Sequence, residues 1–299
     1  MNLYMHGKLL LTAEYAVLDG TPALAIPTQL GQQFTFEKSD TPGIHWKAFR
    51  HDGSLWNETS FTLLEANKNP QSFKGRLQQL IAACIEINVS ARELFENLRV
   101  ISRLEFPTDY GLGSSSTLVA ALAAYARVDA YQLLEKTFAG SGYDIACATA
   151  SQPLIYTRYD VPRALSVPWN PDFLDEVFFV HLNQKQNSRD SIALYGKSRV
   201  TDEGKSRFRE SITQLTQQFV ACGQLAEFEK LMQEHERLIA AQIHLEPIQE
   251  KLFKDYPGAI KSLGGWGGDF IMATRREARQ YFSSRGYTTI YCARELLRL

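Results

Sequence analysis

The sequence predicts an α+β protein of two lobes, because short strand-like runs and amphipathic helices are mixed in both halves of its 299 residues. At about 100 to 200 residues per domain, this length is consistent with one large domain or two moderate ones. Proline density rises in the segment VPRALSVPWNP, residues 161–171, and a new strand follows it. We therefore place the domain boundary at residue 165, with an N-terminal domain over 1–165 and a C-terminal domain over 166–299.

The first half begins with strand-like runs at residues 8–11, 33–36 and 61–64. The polar stretch at 39–53 between them is typical of hairpin turns. A helix follows, whose apolar residues recur at the spacing of one buried stripe. They are Leu77, Leu80, Ile81, Cys84 and Ile85.

A strand over 98–104 then leads through a glycine loop into an Ala/Leu-rich helix over 118–134. In the second half, the pattern predicts a strand at 177–182 and two amphipathic helices at 205–222 and 225–243. The segment KSLGGWGGDFIMAT indicates two strands around a glycine cluster, and a final helix and strand complete the chain.

Composition narrows the classes of function. Hydrophobic residues make up 44% and charged residues 22% of the chain, which is typical of a folded globular protein. The 32 basic and 33 acidic residues leave a formal charge of −1, and no basic run offers a surface for a polyanion, so we expect no nucleic-acid partner. The apolar run near the N-terminus is short and interrupted by Lys8, Thr12 and Glu14. We therefore expect no signal peptide, no membrane span and a cytoplasmic protein.

The four cysteines are scattered without a C-x-x-C pair, which predicts small core residues rather than disulfides or zinc thiolates.

The first segment with chemical content is a glycine- and serine-rich loop between a predicted strand and a predicted helix. Its residues are Gly111, Leu112, Gly113, Ser114, Ser115, Ser116 and Thr117. Glycines let the backbone approach a ligand closely, and the start of a helix offers unpaired N–H groups, so the loop suits a phosphate. The serines are equally compatible with ordinary helix capping. The loop is neither a Walker A motif nor a dinucleotide-binding fingerprint.

Two further glycine segments stand out. Residues 140–146, GSGYDIA, deliver the single carboxylate of Asp144 into an otherwise apolar run, where it could accept a proton beside a bound phosphate or simply cap the next helix. Residues 264–268 contain four glycines in five positions between two short strands. This density indicates either close approach to a ligand or a strained hairpin.

Together these motifs resemble those of the GHMP kinase superfamily of ATP-dependent small-molecule kinases. Residues 7–25, GKLLLTAEYAVLDGTPALA, are similar to the opening of mevalonate kinases. Residues 107–117 resemble the nucleotide loop with Ser116 in place of the usual alanine, and residues 264–273 resemble the C-terminal glycine motif with Trp266 where alanine is common. The resemblance implies an N-terminal lobe like ribosomal protein S5 domain 2 and a ferredoxin-like C-terminal lobe.

The resemblance also implies roles for individual residues. ATP would lie in the loop at 111–117, with Mg²⁺ on Ser115. Asp144 would be the catalytic base, and Lys8 would lie near Asp144 and the transferred phosphoryl group. Substrate contacts would come from Lys185, Ser188, Gly265, Gly267 and Gly268.

The acceptor is indicated by finer resemblances. GSGYDIA looks closest to the GSGFDVA of phosphomevalonate kinases, and residues 185–188, KQNS, are similar to the K-x-x-S of the same enzymes. The sequence of this segment, SGYDIA, also resembles that of a bacterial subgroup known by its GYDIA motif. The resemblance therefore implies a small anionic acceptor, mevalonate or phosphomevalonate.

One position departs from the mevalonate kinase pattern. Those enzymes carry a magnesium-binding glutamate eleven residues before the base, where this chain has Leu133. Glu135 is displaced by two positions, which on a helix turns a side chain by about 200°. Glu135 is thus an alternative magnesium ligand beside Ser115, and a solvated helix residue is the other interpretation.

The sequence therefore predicts an ATP- and Mg²⁺-dependent kinase of a small molecule, monomeric or homodimeric. Two alternatives stay open: an enzyme like diphosphomevalonate decarboxylase, and a catalytically silent nucleotide-binding regulator.

Overall fold

The computed structural model describes residues 1–184, 195, 202–266 and 268–299, and these form a mixed α+β fold with two β-sheets. The strands are β1 (Asn2–Leu10), β2 (Ala23–Lys38), β3 (Gly43–Phe49), β4 (Leu55–Phe61), β5 (Asn97–Leu104), β6 (Leu154–Thr157), β7 (Arg163–Ser166), β8 (Val177–His181), β9 (Ile260–Ser262), β10 (Phe270–Thr274) and β11 (Ile290–Cys292). The helices are α1 (Phe73–Ile87), α2 (Arg92–Phe95), α3 (Ser114–Ala126), α4 (Ala130–Thr137), α5 (Tyr143–Thr149), α6 (Asp202–Ala221), α7 (Leu225–Ile243), α8 (Ile248–Leu252), α9 (Ala278–Ser283) and α10 (Ala293–Leu296).

Two compact units divide the chain. The first unit comprises Met1–Gly7, Leu30–Thr108 and Leu112–Thr149, and the second comprises Lys8–Gln29, Asp109–Gly111 and Ala150–Leu299. Because each unit is assembled from several stretches, neither corresponds to one continuous half of the sequence. The predicted domain boundary at residue 165 stays a prediction.

In the first unit, β3 pairs in parallel with β5, and the second half of β2 pairs antiparallel with β5. Helices α1, α3 and α4 contact one another and share one hydrophobic core with these strands. The predicted stripe of α1 is confirmed, with Leu77, Leu80 and Cys84 fully buried and Ile85 half-buried at its edge. Helix α3 is alanine-rich and buried on most of its circumference, which fixes the glycine loop at its start.

In the second unit, four antiparallel strands are arranged in the order β11-β8-β10-β9. The chain visits them as strand, helices, strand, strand, helix, strand, so the sheet has the 4-1-3-2 order of a ferredoxin-like βαββαβ unit. This arrangement confirms the ferredoxin-like fold expected for the C-terminal part.

Three local predictions were wrong. The polar stretch at 39–53 contains strand β3, which is stabilised by its parallel neighbour β5 and by the buried Trp46. The helix predicted over 118–134 is two helices, because Arg127 adopts a left-handed φ of 54° that ends α3. Strand β4 ends at Phe61, and Leu64, beyond it, is 87% exposed.

The cysteine prediction is consistent with the structure, because Cys84, Cys147 and Cys222 are buried and Cys292 is half-buried. Within the described residues, no helix is both long and apolar enough to cross a membrane.

A buried charge network lies in the second unit. Lys261 in β9, Glu14 after β1 and Glu236 in α7 are 0%, 1% and 2% exposed. Lys261 Nζ donates to Glu14 Oε1 and, at 2.9 Å, to the carbonyl of Ser262. Glu236 accepts hydrogen bonds from the Ser262 N–H and hydroxyl, both at 2.9 Å. Burial raises the pKa of both Glu14 and Glu236, and the Lys261 charge opposes that rise.

His235 belongs to the same network as a neutral group. Its Nε2 accepts the N–H of Ala13 at 2.9 Å, so this nitrogen carries no proton. The 3.4 Å approach of Nε2 to Glu14 Oε2 is therefore not an ion pair. Burial lowers the pKa of His235 well below its usual range, and the charge of Lys261 lowers it further.

The network holds a strained turn. Ala13 and Tyr15 both have a φ of 62°, and the N–H of Ala16 donates to the carbonyl of Glu14 at 2.7 Å, which closes a three-residue γ-turn. Such backbone costs about 1 to 3 kcal/mol per residue and persists only where its surroundings fix it. Two hydrogen bonds hold this turn. The N–H of Ala13 donates to His235 Nε2, and the N–H of Trp266 donates to the Tyr15 hydroxyl at 3.1 Å.

We expect Lys261→Met to lower the free energy of unfolding by about 3 to 5 kcal/mol, because Glu14 would keep a buried charge without its partner. The double variant Lys261→Met/Glu14→Gln removes that charge and is expected to recover a large part of the loss. Urea unfolding of the wild type, Lys261→Met, Glu14→Gln and the double variant measures this energetic coupling. Strictly additive losses would contradict the coupling.

We expect His235→Gln to change the pH dependence of stability, because glutamine offers an acceptor to Ala13 but does not titrate. Below the unfolded-state histidine pKa of about 6.5, the unfolded wild type binds more protons than the folded protein. As the pH decreases below that value, His235 should therefore lower the free energy of unfolding of the wild type by up to about 1.4 kcal/mol per pH unit. This loss continues until the pH reaches the lowered pKa of His235 in the folded protein.

The glutamine variant lacks this contribution, so its stability relative to wild type should improve from pH 7 toward about pH 5. Urea midpoints across that range measure the difference. Parallel pH profiles for the two proteins would contradict a neutral buried His235.

Candidate functional site

The predicted phosphate loop leads into an uncapped helix. Gly113 is the N-cap of α3, with a left-handed φ of 91°, and no side chain caps the helix within the described part of the chain. Ser116 and Thr117 N–H groups both donate to the Gly113 carbonyl at 3.0 Å. The serines therefore lie inside the first turn and do not serve as its N-cap, and the exposed Ser115 presents its hydroxyl at the positive end of the helix dipole. This geometry favours anion binding over the capping alternative.

A buried glutamine fixes this first turn. Thr117 is 1% exposed and donates its hydroxyl to Gln32 Oε1 at 2.6 Å, while the same hydroxyl lies 2.9 Å from the Ser114 carbonyl. Gln32, in β2, is itself 6% exposed. Gln32 was not predicted, although a polar residue between Leu30 and Phe34, the apolar residues two positions away on the same strand face, is a usable signal.

The segment before the helix is anchored in the second unit. The Tyr110 hydroxyl is 3.1 Å from Thr289 Oγ1, and its ring centroid lies 4.7 Å from that of His181 and 5.5 Å from that of Phe270. His181 Nε2 also lies 3.3 Å from the carbonyl of Asp109. These contacts fix the start of the loop on strands β8 and β10, and their aromatic members were not predicted.

Gly111 is packed directly against a carboxylate. A Cβ at Gly111 would lie 2.6 Å from Asp269 Oδ2, and the Gly111 φ of 66° is left-handed. Both facts require glycine at this position.

The second loop places Asp144 in the first turn of α5, after a turn in which Gly140 and Gly142 have φ of 129° and 90°. Asp144 is half-buried, and it lies within the helix rather than at a capping position before it. Helix α5 packs against α3 in the first unit. The loop geometry is consistent with a fixed carboxylate, and the catalytic role of Asp144 stays a prediction.

The structure describes some of the remaining predicted residues and not others. Lys8 is a half-buried residue of β1, in the second unit. Gly265 and Gly268 are buried in the third glycine segment, where Trp266 is 4% exposed. Predicted residues outside the described part of the chain are Lys185, Ser188 and Gly267.

The described residues contain no cluster of three or more His, Cys, Asp or Glu side chains suited to a metal. Leu133 is fully buried in the core of the first unit, and Glu135 is exposed on α4. Mg²⁺ commonly binds through one or two carboxylates together with phosphate oxygens and water, so a preformed cage is not needed. The exposed hydroxyl of Ser115 beside an open helix start fits a cation that arrives with a nucleotide.

No protein-family model and no curated protein sequence matches the chain. Solved structures match it over almost its whole length. A phosphomevalonate kinase of Streptococcus pneumoniae, in complex with phosphomevalonate and AMPPNP, is 17% identical with a TM-score of 0.71, covering 97% of this chain and 99% of that chain.

Mevalonate kinase of Methanococcus jannaschii is 14% identical with a TM-score of 0.69, covering 97% of this chain and 96% of that chain. Galactokinase of Lactococcus lactis, complexed with galactose, is 13% identical with a TM-score of 0.69, covering 97% and 92%. These likenesses establish that the chain has the fold of the GHMP kinases, which confirms the predicted fold class.

We expect Gly111→Ala to weaken nucleotide binding and stability together, since its methyl group would meet the Asp269 carboxylate. A left-handed alanine alone costs about 1 to 2 kcal/mol. Gly53→Ala is the matched control, because Gly53 has a φ of 80° and nothing within 4 Å of an added Cβ. Thermal unfolding and equilibrium nucleotide binding measure both variants. Equal effects of the two substitutions would contradict the steric role of Asp269.

Proposed function

We propose that the chain is an ATP- and Mg²⁺-dependent kinase that transfers the γ-phosphoryl group of ATP to an oxygen of a small anionic acceptor. The observation that carries this proposal is the uncapped start of α3, with Gly113 at the N-cap and Ser115 exposed, in a chain with the GHMP kinase fold. A positive helix end with free donors stabilises phosphate oxygens.

In this proposal the loop at 111–117 binds the triphosphate through backbone N–H groups and serine hydroxyls. Ser115 contributes a ligand to Mg²⁺, with Glu135 as the alternative. The cation, when bound with ATP, supplies neutralisation of the phosphate charge. Gln32 and Thr117 keep the first turn of α3 in the geometry that binding needs.

Asp144 accepts the proton of the acceptor hydroxyl, or orients an acceptor phosphate that is already ionised. The acceptor oxygen forms a bond to the γ-phosphorus while the bond between that phosphorus and the β–γ bridging oxygen breaks, and ADP leaves with the electron pair. Lys8 offsets the negative charge on the transferred group. Gly265, Gly267, Gly268, Lys185 and Ser188 keep their proposed role in acceptor binding.

We propose mevalonate or phosphomevalonate as the acceptor. The support is the GSGYDIA segment, which resembles the corresponding segment of phosphomevalonate kinases, and the similarity to a structure described as phosphomevalonate kinase bound to phosphomevalonate. An anionic acceptor also suits the lysines proposed for this site.

The test is ADP release from Mg-ATP against mevalonate, phosphomevalonate, diphosphomevalonate, homoserine and galactose. Stimulation by either of the first two supports the proposal. Carbon dioxide released with ADP from diphosphomevalonate would instead identify a decarboxylase. Nucleotide binding without stimulation by any acceptor would favour the silent regulator.

We expect Asp144→Asn to lower kcat by at least about 100-fold, the contribution typical of a positioned general base. The KM for ATP should change little, since Asp144 is not assigned to the nucleotide. Steady-state kinetics with the preferred acceptor check this.

Asp40→Asn is the matched control, because Asp40 is an exposed aspartate of the same compact unit. Wild-type turnover in the Asp144 variant would overturn the assignment of the base.

A further inference from the structure

A small cavity lies in the second unit, beside the short helix α8. Its volume is about 180 Å³. All six residues of its wall belong to this unit: Leu245, Glu246, Ile248, Lys251, Ser262 and Trp266. None of them is among the residues assigned to the nucleotide or to the acceptor, so the proposed kinase function leaves the cavity unexplained.

The inner wall of the cavity is held by one buried carboxylate. Glu236 in α7 accepts the N–H of Ile248 at 3.2 Å, and it accepts both the N–H and the hydroxyl of Ser262 at 2.9 Å. Ile248 and Ser262 are themselves buried. These hydrogen bonds tie α8 and β9 to α7. A ligand would therefore meet a preformed wall and would bind without a large cost of ordering it.

The buried side chain of Trp266 adds a hydrogen-bond donor to this wall. Its indole Nε1 is buried and has no hydrogen-bond partner among the described residues. Its backbone N–H donates to the Tyr15 hydroxyl at 3.1 Å, which fixes the residue in place. A buried donor without an acceptor is unfavourable, and a ligand oxygen would remove that cost.

The exposed part of the wall carries one charge of each sign. Lys251 supplies an ammonium group and Glu246 a carboxylate, and both side chains are exposed. Leu245 and Ile248 add aliphatic surface. A ligand with a single charge would be attracted by one of the two charged residues and repelled by the other. A zwitterion with an aliphatic body complements both charges and the apolar surface.

The volume limits the size of this ligand. Drug-sized ligands occupy pockets of about 300 to 1,000 Å³, so this cavity is too small for them. A water molecule takes up about 30 Å³ in the liquid, and protein interiors are packed more densely than liquids. The cavity therefore has room for about six to eight non-hydrogen atoms, the size range from alanine to valine.

We propose that this cavity is a binding site for a small aliphatic α-amino acid. The indole N–H of Trp266 and the ammonium group of Lys251 bind the carboxylate of the ligand. Glu246 binds its ammonium group, and Leu245 and Ile248 contact its side chain. This site does not depend on the proposed kinase activity, because it uses a different set of side chains.

The test is titration calorimetry of the full chain with L-alanine and L-valine. Isovalerate lacks the ammonium group of valine, and isobutylamine lacks its carboxylate. Each should bind at least about tenfold more weakly than L-valine, since a hydrogen bond to a charged group is lost. L-Tryptophan, which is too large for the cavity, should not bind.

Trp266→Phe removes the indole N–H and keeps an aromatic ring, and it should weaken L-valine binding by about tenfold. Trp169→Phe is the matched control, because Trp169 is also buried but donates its Nε1–H to the Phe219 carbonyl at 3.0 Å, away from the cavity wall. The control should keep the wild-type affinity.

Lys251→Met changes an exposed residue and keeps the test valid if Trp266→Phe does not fold. It should weaken the binding of L-valine and isovalerate but not that of isobutylamine. Lys254→Met, at an exposed lysine outside the wall, should leave all three affinities unchanged.

Equal affinities for L-valine, isovalerate and isobutylamine would overturn the assignment of the ligand. Wild-type affinity for L-valine in both Trp266→Phe and Lys251→Met would overturn the assignment of the site, as would the failure of wild type to bind either amino acid at millimolar concentration. These results leave the kinase proposal standing, since that proposal is tested separately by ADP release.

Discussion

The ion pair between Lys261 and Glu14 is the constraint on which the second unit depends. Both side chains are almost completely buried, so the charged form of each would have a large desolvation penalty if the other were absent. Their pairing fixes strand β9 against the segment that follows β1, and the neutral His235 holds the adjacent peptide. The strained turn at Ala13 and Tyr15 exists only because these partners surround it. Removing either member of the pair would leave the other as a buried ionisable group without its partner.

Three glycines of the first two glycine segments differ in what makes glycine necessary. At Gly111 the reason is contact, because a carboxylate occupies the space that a side chain would need. At Gly113 it is conformation, since a left-handed residue must precede the open start of α3. At Gly140 an added Cβ would meet nothing within 4 Å, so only its φ of 129° matters. The same residue type is therefore required for different physical reasons at these positions.

The sequence predicted what depends on local periodicity and missed what depends on distant partners. The stripe of α1 and the helix over Leu225–Ile243 follow from apolar spacing alone. Strand β3 was missed because its pairing with β5 joins segments about fifty residues apart, a contact that polar composition conceals. The end of α3 at Arg127 was missed because the spacing of apolar residues does not reveal that an arginine adopts a left-handed φ.

The same distinction applies to the candidate site. The glycine loop and Asp144 were identified from sequence, since both stand in recognisable local motifs. The contacts of Gln32, Tyr110 and Asp269 were not identified, because each joins residues that are far apart in the chain.

The contact between Gly111 and Asp269 also constrains how the sequence can change during evolution. Two positions separated by more than 150 residues share one small volume, so neither can change size independently of the other. A side chain at position 111 becomes tolerable only after position 269 has lost its own. Homologous sequences should therefore show correlated substitution at these two columns, with the glycine retained wherever the acidic side chain is present.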